Sequence, residues 1–217
     1  MNLFDLRTAF RRETGDLKPK YLWSDDEVDR YLNEAADDAA RRSGLLVDST
    51  SEATEYPINA GEFIVDLHPS VVYVRRARLD GNRGALYPRV ARAMDEDAPG
   101  WEDALPSTPM IFVPDWESGK LRLYPPASSS MALRLTVVRT PLSPMTNDCD
   151  APELPSRTHY SLVYGAMEKG YLKSDADAFD PGASARAGER FAAEFGPPVS
   201  AMDEHWAIEQ YYDIGHR

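Results

Sequence analysis

The chain has 217 residues, is 42% hydrophobic and 28% charged, and sets 24 Lys plus Arg against 36 Asp plus Glu for a net charge of −12. That length holds one domain, or a helical domain with a second small lobe, and excludes a solenoid array or a multidomain machine; the composition excludes a disordered chain. No apolar run approaches the roughly eighteen residues of a membrane span, and the acidic balance disfavours free nucleic acid as a partner.

Asn2 and Asp5 open a first helical pattern with Leu3, Leu6 and Phe10 on one side, and Gly15 followed by Pro19 ends it. Asp5 and Arg7 stand where an export signal would be apolar, so export is not expected. A second helix starts at Ser24-Asp25-Asp26-Glu27, where serine and glutamate can cap each other's free backbone N–H groups, with Trp23 and Val28 as a hydrophobic staple. Val28, Tyr31, Leu32, Ala35 and Ala39 continue it to Gly44, a left-handed stop.

From Leu45 the period shortens towards two. Ile58, Phe63-Ile64-Val65, Val71-Val72-Tyr73-Val74, Ile111-Phe112-Val113, Leu121-Arg122-Leu123-Tyr124 and Leu133 to Val138 are strand candidates. Glu117-Ser118-Gly119-Lys120 and Pro125-Pro126-Ala127-Ser128 carry turn chemistry and predict a hairpin meander in one small sheet. Helical period returns at Tyr160, Val163, Tyr164, Met167 and Tyr171, then after Asp180-Pro181 through Ala183, Ala187, Phe191 and Phe195 to Gly196-Pro197-Pro198. The predicted fold is α+β: an antiparallel helical bundle with two N-terminal helices (1–44) and two C-terminal helices (141–196). It carries an inserted small antiparallel β lobe (45–140) and an extended C-terminal docking tail (197–217).

No Gly-rich phosphate loop, HExxH, nucleophile elbow or CxxC pair occurs. His68, His159, His205 and His216 lack metal-ligand spacing, and no cofactor or metal is expected. Cys149 cannot form an internal disulfide, and Asp148 and Asp150 disfavour its thiolate. Asp95, Glu96, Asp97, Glu102 and Asp103 read as a solvated loop, with an acid/base pair of a hydrolase as the competing reading. Trp101, Trp116 and Tyr124 read as core and turn packing, with a carbohydrate- or peptide-binding surface as the alternative function.

Two features remain. Arg75, Arg76, Arg78, Arg83, Arg89 and Arg92 form a basic strip opposed only by Asp80, suited to a lumen or to an acidic neighbouring subunit. Trp206, Tyr211 and Tyr212 put large rings in the tail, which favours burial against a partner.

The stretches Leu6-Arg7-Thr8-Ala9-Phe10-Arg11-Arg12-Glu13-Thr14-Gly15-Asp16, Tyr21-Leu22-Trp23-Ser24-Asp25-Asp26-Glu27-Val28 and Tyr31-Leu32-Asn33-Glu34-Ala35 resemble the opening of head-to-tail adaptor proteins of tailed bacteriophages. Leu121-Arg122-Leu123-Tyr124-Pro125-Pro126, Pro152-Glu153-Leu154-Pro155, Leu162-Val163-Tyr164-Gly165-Ala166 and Phe191-Ala192-Ala193-Glu194-Phe195-Gly196 are similar to later parts of that family. The resemblance implies a non-enzymatic virion component of the neck, made in the host cytoplasm: a homo-oligomeric ring of about twelve copies below the portal protein. A tail or nozzle protein would attach to it, genomic DNA would pass through its lumen without sequence-specific binding, and no membrane would be involved.

Overall fold

The computed structural model describes residues 1–82, 84–175, 177–200 and 211–212. In chain order the elements are helices α1 (Leu3–Thr14) and α2 (Asp25–Ser43), strands β1 (Val47–Asp48), β2 (Glu55–Ile58), β3 (Ile64–Asp66), β4 (Val71–Leu79) and β5 (Tyr87–Pro88), helix α3 (Ala91–Asp97), strands β6 (Ile111–Glu117), β7 (Lys120–Tyr124) and β8 (Met131–Arg139), then helices α4 (Leu162–Gly170) and α5 (Pro181–Phe195). They fall into two compact units. One holds Met1–Leu46 with Thr140–Pro198; the other holds Val47–Arg139 with the described part of Val199–Arg217.

In the helical unit, local caps set the starts of α1, α2 and α5 and the stops of α1 and α2. Asn2 and Asp5 cap α1 reciprocally, Ser24 and Glu27 do the same for α2, and Gly15 and Gly44 end the two helices in the left-handed conformation. Asp180 caps α5, with Pro181 in its first turn. The apolar stripes of α1, α2 and α4 meet around Trp23, whose ring stands edge-on to Phe10 and Tyr171 and whose Nε1 donates to Gly170 O at 2.9 Å. Gly165 lets α2, α4 and α5 approach: a Cβ there would lie 2.8 Å from Phe191 Cε2 and 2.9 Å from Ala35 Cβ.

The sheet unit corrects the predicted fold class. Instead of a helical bundle with one small antiparallel lobe, the chain has five helices and two four-stranded sheets among its described residues. In one sheet β8 pairs with β1 and β2 along one side and with β4 along the other; the second runs β3-β7-β6-β5, and its β5–β6 pair is parallel. One core takes side chains from both, including Val74, Ala77, Leu133 and Leu135 from the first and Val65, Phe112, Leu121 and Leu123 from the second. Alternating strands bury one face each, and two such faces cover one another where a single sheet would leave its apolar face wet. The predicted hairpin at Glu117–Lys120 forms between β6 and β7. The predicted turn at Pro125-Pro126 joins no hairpin; it carries the chain from the second sheet to the first, so β7 and β8 do not pair. Within the predicted tail, Tyr212 is buried among the residues of this core, while residues 197–200 are exposed.

Candidate functional site

β4 pairs only with β8 among the described strands, which leaves its other side as a sheet edge. Two register shifts interrupt it, between Val71 and Tyr73 and between Val74 and Arg76. The second is a bulge that turns the adjacent Arg75 and Arg76 both to solvent. At Val74 the edge is closed by the C-terminal segment. The Tyr212 hydroxyl accepts from Val74 N at 3.0 Å and donates to Val74 O at 2.7 Å. The Tyr212 ring meets Phe112 edge-on at 6.1 Å, and Tyr211 packs on Tyr73 at 5.3 Å. Tyr212 is 3% exposed and Tyr211 45%. Of the three tail aromatics singled out in the sequence, Trp206 lies outside the described residues.

The predicted basic strip is spread over several elements. Arg75, Arg76 and Arg78 lie exposed on β4, Arg89 follows β5, Arg92 is on α3, and Arg83 lies outside the described residues. Arg78 reaches Asp80 at 3.9 Å, and Asp80 also accepts from Arg134 Nε at 2.7 Å while Arg134 pairs with Glu55. Arg89 pairs with Asp97 and Arg92 with Glu96, each at 3.5 Å. The Arg134 hydrogen bond, foremost, holds the Asp80 carboxyl below its ordinary pKa.

The acids read as a solvated loop sit in ordered structure. Asp95, Glu96 and Asp97 form the last turn of α3, and Asp95 Oδ1 accepts from Trp101 Nε1 at 2.9 Å. Engaged separately by Trp101, Arg92 and Arg89, they do not converge on a common point.

Trp101, Trp116 and Tyr124 do come together, around a cation that sequence reasoning missed. Trp101 stands edge-on to Trp116 and to Tyr124, and the Arg122 guanidinium lies 4.6 Å from the Trp101 ring, 4.5 Å from Trp116 and 4.8 Å from Phe63. Arg122 Nη2 donates to Glu102 O at 2.9 Å. Arg122 and Trp101 are both buried, so the ring faces that a sugar would need are occupied by the chain's own arginine. The signal was Leu121-Arg122-Leu123: an arginine set between two buried leucines, in a strand buried on both faces.

His159 is also buried. Its Nε2 faces Leu154 O at 2.8 Å and its Nδ1 lies 3.1 Å from the Met1 amino group. Cys149 is exposed. No cluster of three or more His, Cys, Asp or Glu side chains suited to a metal occurs among the described residues.

Comparison with curated proteins gives no match. The family model described as SU10 adaptor protein matches residues 1–210, which takes in every helix of the helical unit, both sheets and the approach to the C-terminal tyrosines. The chain therefore belongs to the SU10 adaptor protein family.

Proposed function

We propose that this chain builds a ring of about twelve copies below the portal in the neck of a tailed phage, with the tail or nozzle attached on its far side. The observation that carries the reading is the family match over residues 1–210. As a member of that family the chain is a structural adaptor of a phage, located at the virion neck and associating with other head and tail proteins. The finer steps rest on physical argument. Identical subunits joined by two different faces close into a ring when the rotation per contact divides a full turn. A net charge of −12 disfavours tight phosphate binding, so genomic DNA can slide through a lumen without being held.

Assembly of this kind is mechanical: no bond is made or broken and no cofactor is needed. Subunits made in the host cytoplasm join the filled head, and the C-terminal aromatic residues supply part of the partner surface. Tyr211 gives its exposed ring, Tyr212 supports it from within, and Trp206 adds a third ring from the same tail. A null allele of the gene tests the role. It should yield filled heads and free tails that do not join, with joining restored by added purified protein; complete infectious particles in its absence would overturn the proposal.

A further inference from the structure

The helical unit carries a pocket of about 260 Å³ between α2 and the segment that returns from the sheets. Its walls are apolar and stiff, with Pro141, Leu142, Pro144 and Pro152 among them, and Asp37 and Glu153 add two carboxylates. The pocket is held in shape from both sides. Asn33 on α2 accepts from Met145 N at 2.7 Å and donates to Met145 O at 3.0 Å, and Glu153 accepts from Leu142 N at 2.7 Å. Burial pushes the Asp37 carboxyl above its ordinary pKa, against the pull of Arg41. A carboxylate in that state is stabilised by a cation brought to it.

An apolar slot with carboxylates fits an arginine better than a lysine or a neutral side chain. The aliphatic stem and the flat, weakly hydrated guanidinium face lie against proline and leucine, while the N–H groups reach the acids. The same chain displays such a group. The β4 bulge leaves Arg75 and Arg76 side by side and exposed, and among the described residues neither joins the ion pairs that engage Arg78, Arg89 and Arg92.

We propose that the Asp37–Glu153 pocket of one copy receives Arg75 and Arg76 of a second copy, as the contact that repeats around the ring. The inference rests on the ring reading above and names its two faces: an acidic pocket on the helical unit and a basic sheet edge. The contact is heterologous, the kind that a closed ring requires.

Charge exchange in the full-length protein tests it, with complex mass measured at low and at high salt, for the free protein and for protein bound to neckless filled heads. Asp37→Arg alone, and Arg75→Asp with Arg76→Asp, should each weaken self-association about tenfold or more, and the triple variant should recover most of the loss. Arg75 and Arg76 are exposed, and Asp37, although desolvated in part, is exposed over the rest of its surface, so the variants should keep the wild-type circular dichroism; Asp37→Asn serves as a milder second probe. If the single-face variants associate like wild type, or the triple variant fails to recover, this contact is overturned and the ring reading stands. A wild-type protein that stays monomeric both free and on heads overturns the ring reading and the contact together.

Discussion

Tyr212 closes the edge of a strand that lies 138 residues earlier: its hydroxyl satisfies both the N–H and the C=O of Val74, at 3.0 and 2.7 Å. A bulged edge strand leaves main-chain groups that must find partners, and here one side chain serves two of them. Tyr212→Phe keeps the ring against Phe112 but leaves both Val74 groups without the hydroxyl, and it should destabilise the sheet unit by about 1–3 kcal/mol. Tyr212→Ala also empties a core position and should cost about 3–5 kcal/mol. Chemical denaturation followed by tryptophan emission separates the two; equal stability of Tyr212→Phe and wild type would show that water replaces the hydroxyl.

Gly165 makes a prediction of opposite character. Alanine is the better helix former by about 1 kcal/mol, but its methyl would sit 2.8 Å from Phe191 and 2.9 Å from Ala35. Overpacking costs about 1–3 kcal/mol, and the contacts here lie below any real Cβ separation, so crowding should win. Gly165→Ala should therefore lower the melting temperature of the helical unit, and the further substitution Phe191→Leu should return part of the loss.

Glu27 links the α2 cap to the end of α4. It accepts from Ser24 N at 2.8 Å and pairs with Lys173 Nζ at 2.9 Å, and these contacts, the lysine hydrogen bond foremost, lower its pKa from 4.5 to about 2. Because the folded value lies below the unfolded one, the stabilisation is complete above about pH 4.5 and is lost as the pH falls towards 2. Glu27→Gln keeps an oxygen for the Ser24 N–H but loses the charge that Lys173 and the helix N-terminus stabilise, and should cost about 1 kcal/mol at neutral pH. The difference between variant and wild type should shrink as the pH falls through about 2 and vanish below it. Unfolding free energies measured across that range decide it, and a pH-independent difference would assign the effect to shape instead of charge.

Arg122 is held among Phe63, Trp101 and Trp116 by its flat cation. Arg122→Lys keeps the charge but loses the stacked plane and the reach to Glu102 O, and should destabilise the sheet unit by about 1–2 kcal/mol. Trp101 is 3% exposed, so the same variant should also shift tryptophan emission to longer wavelength as water reaches the rings.

What could be read from the sequence divides along the range of the interactions involved. The helix caps at Asn2, Ser24 and Asp180 and the stops at Gly15 and Gly44 act within a few residues, and each stands where its local chemistry puts it. The strands β4 and β8 were visible as alternating runs, but their partners were not. β8 joins β1, β2 and β4, elements 52 or more residues away, and alternation reports only which side is buried. The same limit made Pro125-Pro126 look like a hairpin turn when it is a crossing between sheets. Helix α3 has seven residues and buries only Met94, too short a stripe to show a helical period. In the candidate site, Tyr212 read as a ring to be buried against a partner, but the groups its hydroxyl binds are main-chain atoms of Val74 in the same chain, which no side-chain pattern records. The pocket at Asp37 left no mark because its walls come from α2 and from residues more than a hundred positions later.

A reconstruction of the virion neck with rotational symmetry counted tests the central claim most directly. The account predicts a closed ring beneath the portal, about twelve copies of this two-unit chain around an open channel. A neck in which this density is missing, or holds the chain as a single unrepeated copy, would contradict it.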